Sequence, residues 1–159
     1  MIMIDNKTIE LDKLRRFEIF QGLMTREMKS ILEVSTFLSF VGGDSILNQS
    51  DLSMDLFIVI SGRLSVNMGY SSSKEKRHQK IAELKSGDIF GEISFLEGKR
   101  RSASISAIEP GQVLKMDGLK LHEIFEINQH MGYVMMQNIA LVLARRLVDN
   151  NYQLRNQFF

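Results

Sequence analysis

The chain has 159 residues, of which 44% are hydrophobic and 25% charged, with one proline and no cysteine or tryptophan. Its formal net charge of +1 gives no bulk attraction to nucleic acid or membranes, and the lack of cysteine excludes disulfides, zinc–thiolate sites and cysteine nucleophiles. We expect one soluble, cytoplasmic domain, because the first ten residues do not form a signal peptide and the most apolar stretch, residues 131–144, is shorter than the about 20 residues of a membrane span.

Two short helices are predicted on the N-terminal side of the chain. Apolar residues recur at every third position before Gly22, which favours a short helix or helical turn; they are Leu11, Leu14, Phe17 and Phe20. Thr25 is a suitable N-cap for a second helix, with Glu27 in its first turn. The apolar face of this helix consists of Met28, Ile31 and Leu32.

From about Thr36 the hydrophobic period changes to that of β-strands. Short segments rich in Phe, Ile, Val and Leu are bounded by turn residues; they are residues 36–41, 55–60, 63–68 and 79–84. The clearest strand is residues 101–108, in which serines alternate strictly with small apolar residues. The polar residues 71–80 are predicted to form the solvated tip of a long hairpin rather than a basic partner patch. Strands at this spacing indicate an antiparallel sandwich or barrel.

The helical period returns after Gly118 and lasts nearly to the end of the chain, with a join predicted at Asn128–Gln129. In the last helix, one row of side chains follows spacings of 4, 3, 4, 3 and 4 residues; it consists of Met136, Ala140, Leu143, Leu147, Asn150 and Leu154. We call this row the heptad seam and predict that it forms a homodimer, although a helix of the core is the alternative. A second row, Met135, Ile139 and Val142, is predicted to cover the β-core.

The residues with the clearest chemistry lie between Gly87 and Ala107. A short helical turn from Glu92 to Leu96, preceded by Gly91 and closed by Gly98, would present N-terminal amides to an anion. Arg101 could donate to the same phosphate as a fork, and Ser102 adds a hydroxyl. An acidic residue at such a site is explained if the ligand carries hydroxyl groups beside its phosphate, as a ribose does.

This segment resembles the phosphate-binding cassette of cyclic nucleotide-binding domains. The resemblance rests on Phe90-Gly91-Glu92-Ile93, on Gly98, and on Arg101-Ser102-Ala103, and it looks closest to the bacterial catabolite activator branch. Similar segments occur elsewhere in the chain; they are Gly42-Gly43-Asp44, the run from Asp55 to Arg63, and Ala144-Arg145-Arg146-Leu147. The resemblance therefore extends from about Leu14 to Leu154.

The resemblance implies an α+β fold that is mainly β. Short N-terminal helices (about 1–35) would precede an antiparallel double-stranded β-roll, or jelly roll, over residues 36–117. Its cassette would be residues 90–103, and C-terminal helices would follow over residues 118–157. It also implies a non-catalytic sensor in which ligand binding moves the long C-terminal helix, acting on a downstream effector that the sequence does not identify.

The resemblance implies a role for each residue of the cassette. Glu92 would accept a hydrogen bond from the ribose 2′-hydroxyl, with the Gly91 backbone beside it, and Arg101 and Ser102 would bind the cyclic phosphate. The full set of predicted ligand-binding residues is Gly91, Glu92, Ile93, Arg101, Ser102, Asn150 and Asn151. Asn150 and Asn151 would contact the base from the last helix. The serine after the arginine, in this context, favours cyclic AMP (cAMP) over cyclic GMP (cGMP).

Two departures from the family pattern stand out. Ser50 and Ser53 replace two glycines in the turn before Asp55, and since serine tolerates the left-handed conformation poorly, a different turn conformation is expected. Arg100 adds a second positive charge beside the phosphate site.

Two alternatives remain open at this point, and a third, a metal site, is not expected. Glu92 and Arg101 could pair with each other in a degenerate dimerisation or scaffold domain that binds no nucleotide. A cupin-like enzyme is a more distant alternative. A cupin needs several histidines from neighbouring strands, and only His78 lies in the β-region. On one continuous helix, His122, Glu126 and His130 would share a face and could hold a metal, but we expect no metal site because a helix join at Asn128 explains them better.

Overall fold

The computed structural model describes residues 11–72 and 75–158, with the backbone alone for 70–72, 75–77 and 157–158. The sheet strands are β1 (Ser35–Phe40), β2 (Ser45–Leu47), β3 (Leu56–Ser72), β4 (Glu75–Lys85), β5 (Ile89–Phe90) and β6 (Ser104–Met116). The helices are α1 (Thr25–Glu33), α2 (Glu92–Glu97), α3 (Gly118–Ile127) and α4 (Gln129–Phe158), with a 3-10 turn at Glu18–Phe20 and helical residues 11–14. The predicted fold class, an antiparallel β-core with short N-terminal helices and a long C-terminal helix, is confirmed.

The chain forms two units. One contains residues Ser30–Glu123 and holds the whole sheet, in which β1, β6, β3 and β4 are successive neighbours, all antiparallel. Within this unit β2 pairs with β6 and β5 pairs with β3. The other unit combines the residues up to Lys29 with those from Ile124 onward and is helical.

The segments 55–60 and 63–68, predicted as two strands, belong to one strand, β3. The register between β3 and β6 shifts on either side of Gly62, which has a φ of +84°. A Cβ at Gly62 would lie 2.6 Å from the Pro110 carbonyl oxygen, so only glycine fits this irregularity. The glycine therefore bends the strand instead of ending it.

The β-core follows the predicted alternation. In β6, Ile105 and Ala107 are buried, whereas Ser104 and Ser106 are half-buried. Ile105 and Ala107 pack in an apolar cluster with Val113 of the same strand and with residues of the other strands, which include Phe40, Phe57, Val59, Leu64, Leu84 and Phe90. The strand begins at Ser104 rather than Arg101, because the Arg101 backbone bonds to the turn at Ser50 and Asp51 instead. The long hairpin of β3 and β4 is confirmed, but the predicted extent of its tip is wrong: residues 71–72 and 75–80 belong to the two strands and pair with each other or with β3, and residues 73–74 lie outside the described residues.

The start of α1 differs from the prediction. Thr25 is the first helical residue, and Met24 occupies the N-cap position. The backbone N–H of Met24 donates to the Glu27 carboxylate over 2.9 Å, and the Met24 carbonyl accepts from the backbone of Glu27 and Met28. The helix is thus capped by a side chain that reaches back from its third residue, which is half of a capping box. The expectation of an N-cap at Thr25 is wrong.

The buried Glu27 carboxylate also fixes the junction of α3 and α4 within the helical unit. It accepts hydrogen bonds from Asn128 Nδ2 at 3.1 Å and from the His130 imidazole at 2.8 Å. Burial raises the pKa of Glu27, but the bonds from Met24, His130 and Asn128 together bring it below its ordinary value. Asn128 in turn caps α4 by accepting from the Met131 N–H, so the predicted join at Asn128 is confirmed.

The burial of helix α4 differs between its first part and its last part. In the second row, Met135 and Ile139 are fully buried, as is Met131 one turn earlier, and the predicted contact of this row with the β-core stays a prediction. Asn138 Nδ2 donates to the carbonyls of Ile19 and Gln21, which ties α4 to the 3-10 turn in the same unit. In the heptad seam, by contrast, Leu147 is 62% exposed. Over the described residues, no helix is long and apolar enough to cross a membrane.

Candidate functional site

The backbone of the candidate site is a tight turn between β5 and α2. Strand β5 pairs with the start of β3 through Phe57 and Phe90, whose rings stack with centroids 4.8 Å apart. Gly91 then takes a φ of +79°, and α2 follows from Glu92 to Glu97. Gly98 closes the helix in the left-handed conformation, with its N–H donating to the Ser94 carbonyl over 2.9 Å. Both glycine roles and the helical turn are as predicted.

Gly91 is required for a second reason. A Cβ at this position would lie 2.6 Å from Arg101 Nη1 and 2.7 Å from the Asp55 carbonyl oxygen. The absence of a side chain therefore lets the Arg101 guanidinium pack directly against the turn.

Arg101 is the central charged residue of the site and is only 3% exposed. Its Nη1 donates to the Gly91 carbonyl at 3.0 Å, and its Nη2 donates to the Asp55 carbonyl at 2.8 Å and to Ser53 Oγ at 2.9 Å. The guanidinium carbon lies 5.7 Å from the centre of the Phe57 ring. Its Nε is buried and has no hydrogen-bond partner. Since a buried donor without a partner is costly, this atom is the guanidinium donor that an added acceptor would satisfy.

The burial of Arg101 also affects its electrostatics. Burial lowers the pKa of Arg101 below its ordinary value, while the carboxylates of Asp55, Glu92 and Asp51 act in the opposite direction. The hydrogen bonds described for the guanidinium go to neutral oxygens, two carbonyls and a hydroxyl. A phosphate would supply the full negative charge that these partners lack.

Glu92 is 8% exposed in the first turn of α2. Its charge acts on Arg101, so the alternative in which these two residues stabilise each other stays open. Ile93 is 44% exposed, and Ser102 is exposed at the surface beside Arg101. The predicted ligand-binding residues of the cassette thus all lie in the unit of residues Ser30–Glu123; they are Gly91, Glu92, Ile93, Arg101 and Ser102.

Asn150 and Asn151 belong to the other unit of the chain. Both are exposed residues of α4, which belongs to the helical unit. Their contact with a base stays a prediction.

The turn before β3 holds the backbone of Arg101. The Ser50 N–H donates to the Arg101 carbonyl at 2.9 Å, and the Arg101 N–H donates to the Asp51 carbonyl at 3.0 Å. Ser50 has a φ of +75° and is the one residue other than glycine with a positive φ in the described part of the chain. The turn thus keeps a left-handed residue at Ser50, where a different conformation was expected, but not at Ser53. Arg100 also bonds to this turn, through the Ser50 carbonyl at 2.8 Å.

Sequence reasoning gave Ser53 and Asp55 no role at the site. Ser53 departs from the glycine of the family pattern, yet its hydroxyl accepts from Arg101 and donates to the Asp55 carboxylate. The Asp55 carboxylate also pairs with Lys115 Nζ at 3.2 Å and accepts from the N–H of Gly118, the first residue of α3, at 3.3 Å. No sequence pattern indicates this contact, because it joins residues that are distant in the chain.

The two histidines of the hypothetical metal site have separate roles. His122 Nε2 lies 2.9 Å from the Phe95 carbonyl, and its ring stacks on the Phe95 ring with centroids 4.4 Å apart. His130 lies beyond the helix join and bonds to Glu27. Among the described residues, no group of three His, Cys, Asp or Glu is placed to hold a metal ion.

Comparison with known proteins identifies relatives of the chain. A family model described as "Cyclic nucleotide-binding domain" matches residues 37–128, more than half of the chain. A protein from Thermus thermophilus named "Cyclic AMP receptor protein" is 30% identical over 139 residues, which are 86% of this chain and 60% of that protein.

Solved structures give the same picture. The catabolite activator protein of Thermus thermophilus is 26% identical with a TM-score of 0.69, covering 88% of this chain and 62% of that one. A cyclic nucleotide-binding domain from Methylobacillus flagellatus is 19% identical with a TM-score of 0.79, covering 95% and 84% of the two chains, and shows the shared fold. The chain thus spans less than two thirds of its Thermus relatives.

Proposed function

The chain belongs to the cyclic nucleotide-binding domain family, and we propose that it is a non-catalytic, cytoplasmic sensor module that binds cAMP in preference to cGMP. The observation that carries this proposal is the buried Arg101 guanidinium, whose Nε has no partner next to the Gly91 turn. The relative named as a cyclic AMP receptor protein supports the choice of nucleotide.

In the proposed complex each residue of the cassette has one task. Arg101 neutralises the cyclic phosphate, to which Ser102 adds a hydroxyl donor. The Glu92 carboxylate accepts from the ribose 2′-hydroxyl, beside the backbone of Gly91 and Ile93. A carboxylate is only an acceptor, so it favours the hydroxyl over a second phosphate oxygen.

The proposed output is a movement of α4. Asn150 and Asn151 contact the base in the bound state, so the ligand stabilises the arrangement in which α4 and the cassette both touch it. A separate effector, not identified by the chain itself, then responds.

Titration calorimetry tests the proposed function. We expect saturable heat with both nucleotides at micromolar to millimolar concentration and tighter binding of cAMP than of cGMP. Adenosine 5′-monophosphate is the control, because it carries the base and ribose without the cyclic phosphate. No heat with either cyclic nucleotide at millimolar concentration would contradict the proposal, and tighter binding of cGMP would reverse the choice of ligand.

We propose in addition that the chain forms a homodimer through the heptad seam. Leu147 and Leu154 of this seam are 62% and 53% exposed, while Met136 and Leu143 are half-buried. Since heptad rows of this kind pack against a second helix, a copy of the same helix is the proposed partner. This contact would be retained even if the domain bound no nucleotide.

Leu147→Asp tests the dimer. We expect the variant to sediment as a monomer under conditions in which the wild type is a dimer, because a charge in the seam would be buried without a partner. Val148→Asp is the matched control: Val148 is 51% exposed but lies one residue along, on another face of α4, and this variant is expected to stay dimeric. A Leu147→Asp protein that still sediments as a dimer would place the interface elsewhere.

A further inference from the structure

The Ser53 hydroxyl lies between the positive and negative groups beneath the site. It is 2.9 Å from Arg101 Nη2 and 3.0 Å from Asp55 Oδ2. A guanidinium only donates and a carboxylate only accepts, so the single hydroxyl proton must point to Asp55 while the hydroxyl oxygen accepts from Arg101. The direction of both hydrogen bonds is thus fixed by chemistry.

The same path continues to helix α3. Asp55 Oδ1 accepts from the backbone N–H of Gly118, the first residue of α3, at 3.3 Å. Lys115 Nζ lies 3.2 Å from Asp55 Oδ2 and balances the charge of the carboxylate. A continuous set of hydrogen bonds therefore runs from the Arg101 guanidinium through Ser53 and Asp55 to the first N–H of α3.

We propose that Ser53 is a positioning residue that orients Arg101 for the ligand phosphate. It also transmits the binding of a phosphate at Arg101 to the start of α3, acting as a relay. The inference rests on the proposed function. A positive donor polarises the hydroxyl and strengthens the bond that the hydroxyl gives to Asp55. A phosphate on Arg101 offsets the positive charge, weakens that bond and leaves Asp55 to bind the Gly118 N–H more tightly. Ligand binding therefore protects the Gly118 amide.

Ser53→Ala and Ser53→Thr test this inference together. We expect Ser53→Ala to lower the affinity for cAMP about fivefold, less than the loss of a direct bond to the phosphate because Ser53 acts only through Arg101, and to abolish the ligand-induced protection of the Gly118 amide in hydrogen exchange. Ser53→Thr keeps the hydroxyl and is expected to restore both properties. Ser86→Ala is the matched control, since its hydroxyl donates to the Ile60 carbonyl away from the site. It is expected to behave as the wild type.

The outcomes separate the relay from the proposed function. If the wild type binds cAMP and Ser53→Ala shows unchanged affinity and unchanged protection of Gly118, the relay is wrong and the receptor stands. If the wild type binds neither nucleotide, both proposals fail. Should Ser53→Ala melt far below the wild type, Ser53→Cys replaces it, because a thiol has nearly the same shape but is a weak donor and acceptor.

Discussion

Arg101→Ala should lower the affinity for cAMP by at least about tenfold and up to about a hundredfold, because each charge-assisted hydrogen bond to the phosphate contributes roughly 1.5–3 kcal/mol. The effect is large because the guanidinium is buried and its Nε has no partner within the protein. Titration calorimetry with cAMP measures it directly. Unchanged binding would show that the phosphate lies elsewhere.

Two further variants serve as comparisons. One tests whether a positive charge without the guanidinium geometry is enough, and the other is a control for the loss of an arginine. Arg101→Lys keeps a positive charge but loses the planar fork, and we expect it to bind more weakly than the wild type and more tightly than Arg101→Ala. Arg63→Ala removes an arginine of the same unit that pairs with Glu109 at 3.2 Å on the surface, and it should not alter binding. Circular dichroism must first show that Arg101→Ala is folded, because the variant leaves the carbonyls of Gly91 and Asp55 without these donors.

The parts of the fold that sequence predicted correctly depend on local periodicity. The alternation of Ser104, Ile105, Ser106 and Ala107 alone places Ile105 and Ala107 in the core, because side chains of a strand point to opposite faces. The continuous strand β3 was missed, since Gly62 is as good a turn residue as it is a bulge residue, and only its close approach to Pro110 decides between the two. The cap of α1 was missed because Glu27 supplies it from within the helix.

In the candidate site too, the residues of one local segment were predicted, whereas the residues brought in from elsewhere in the chain were not. Gly91, Glu92 and Gly98 lie within one short segment, where the conformational freedom of glycine and the helical turn are local properties. Ser53 and Asp55 meet Arg101 from a different part of the chain, so their role depends on how the turn before β3 is placed. In that turn Ser50 has the left-handed backbone conformation, which a serine adopts only with strain and which its sequence therefore does not predict. Strain of this kind persists where surrounding contacts hold it, and here they include both backbone bonds to Arg101.

Gly91→Ala should destabilise the protein by about 2–4 kcal/mol, since it combines a left-handed backbone with a steric clash. The new Cβ would lie 2.6 Å from Arg101 Nη1 and 2.7 Å from the Asp55 carbonyl. The guanidinium can move, but the carbonyl belongs to the backbone beside β3, so the turn itself has to shift. We expect a lower free energy of unfolding in urea and a loss of cAMP affinity of more than about tenfold in the protein that remains folded.

Gly98→Ala separates the backbone strain from the steric clash. Gly98 also has a positive φ, of 68°, but nothing lies within 4 Å of the position that its Cβ would take. This variant should therefore carry only the backbone strain, about 1 kcal/mol, and bind cAMP nearly as well as the wild type. The difference between the two variants measures how closely Arg101 and Asp55 are packed against the turn. An equal loss in the free energy of unfolding for both variants would mean that the turn at Gly91 shifts easily to accept a Cβ. The guanidinium would then not be held by close packing against this turn, on which its proposed role in phosphate binding depends.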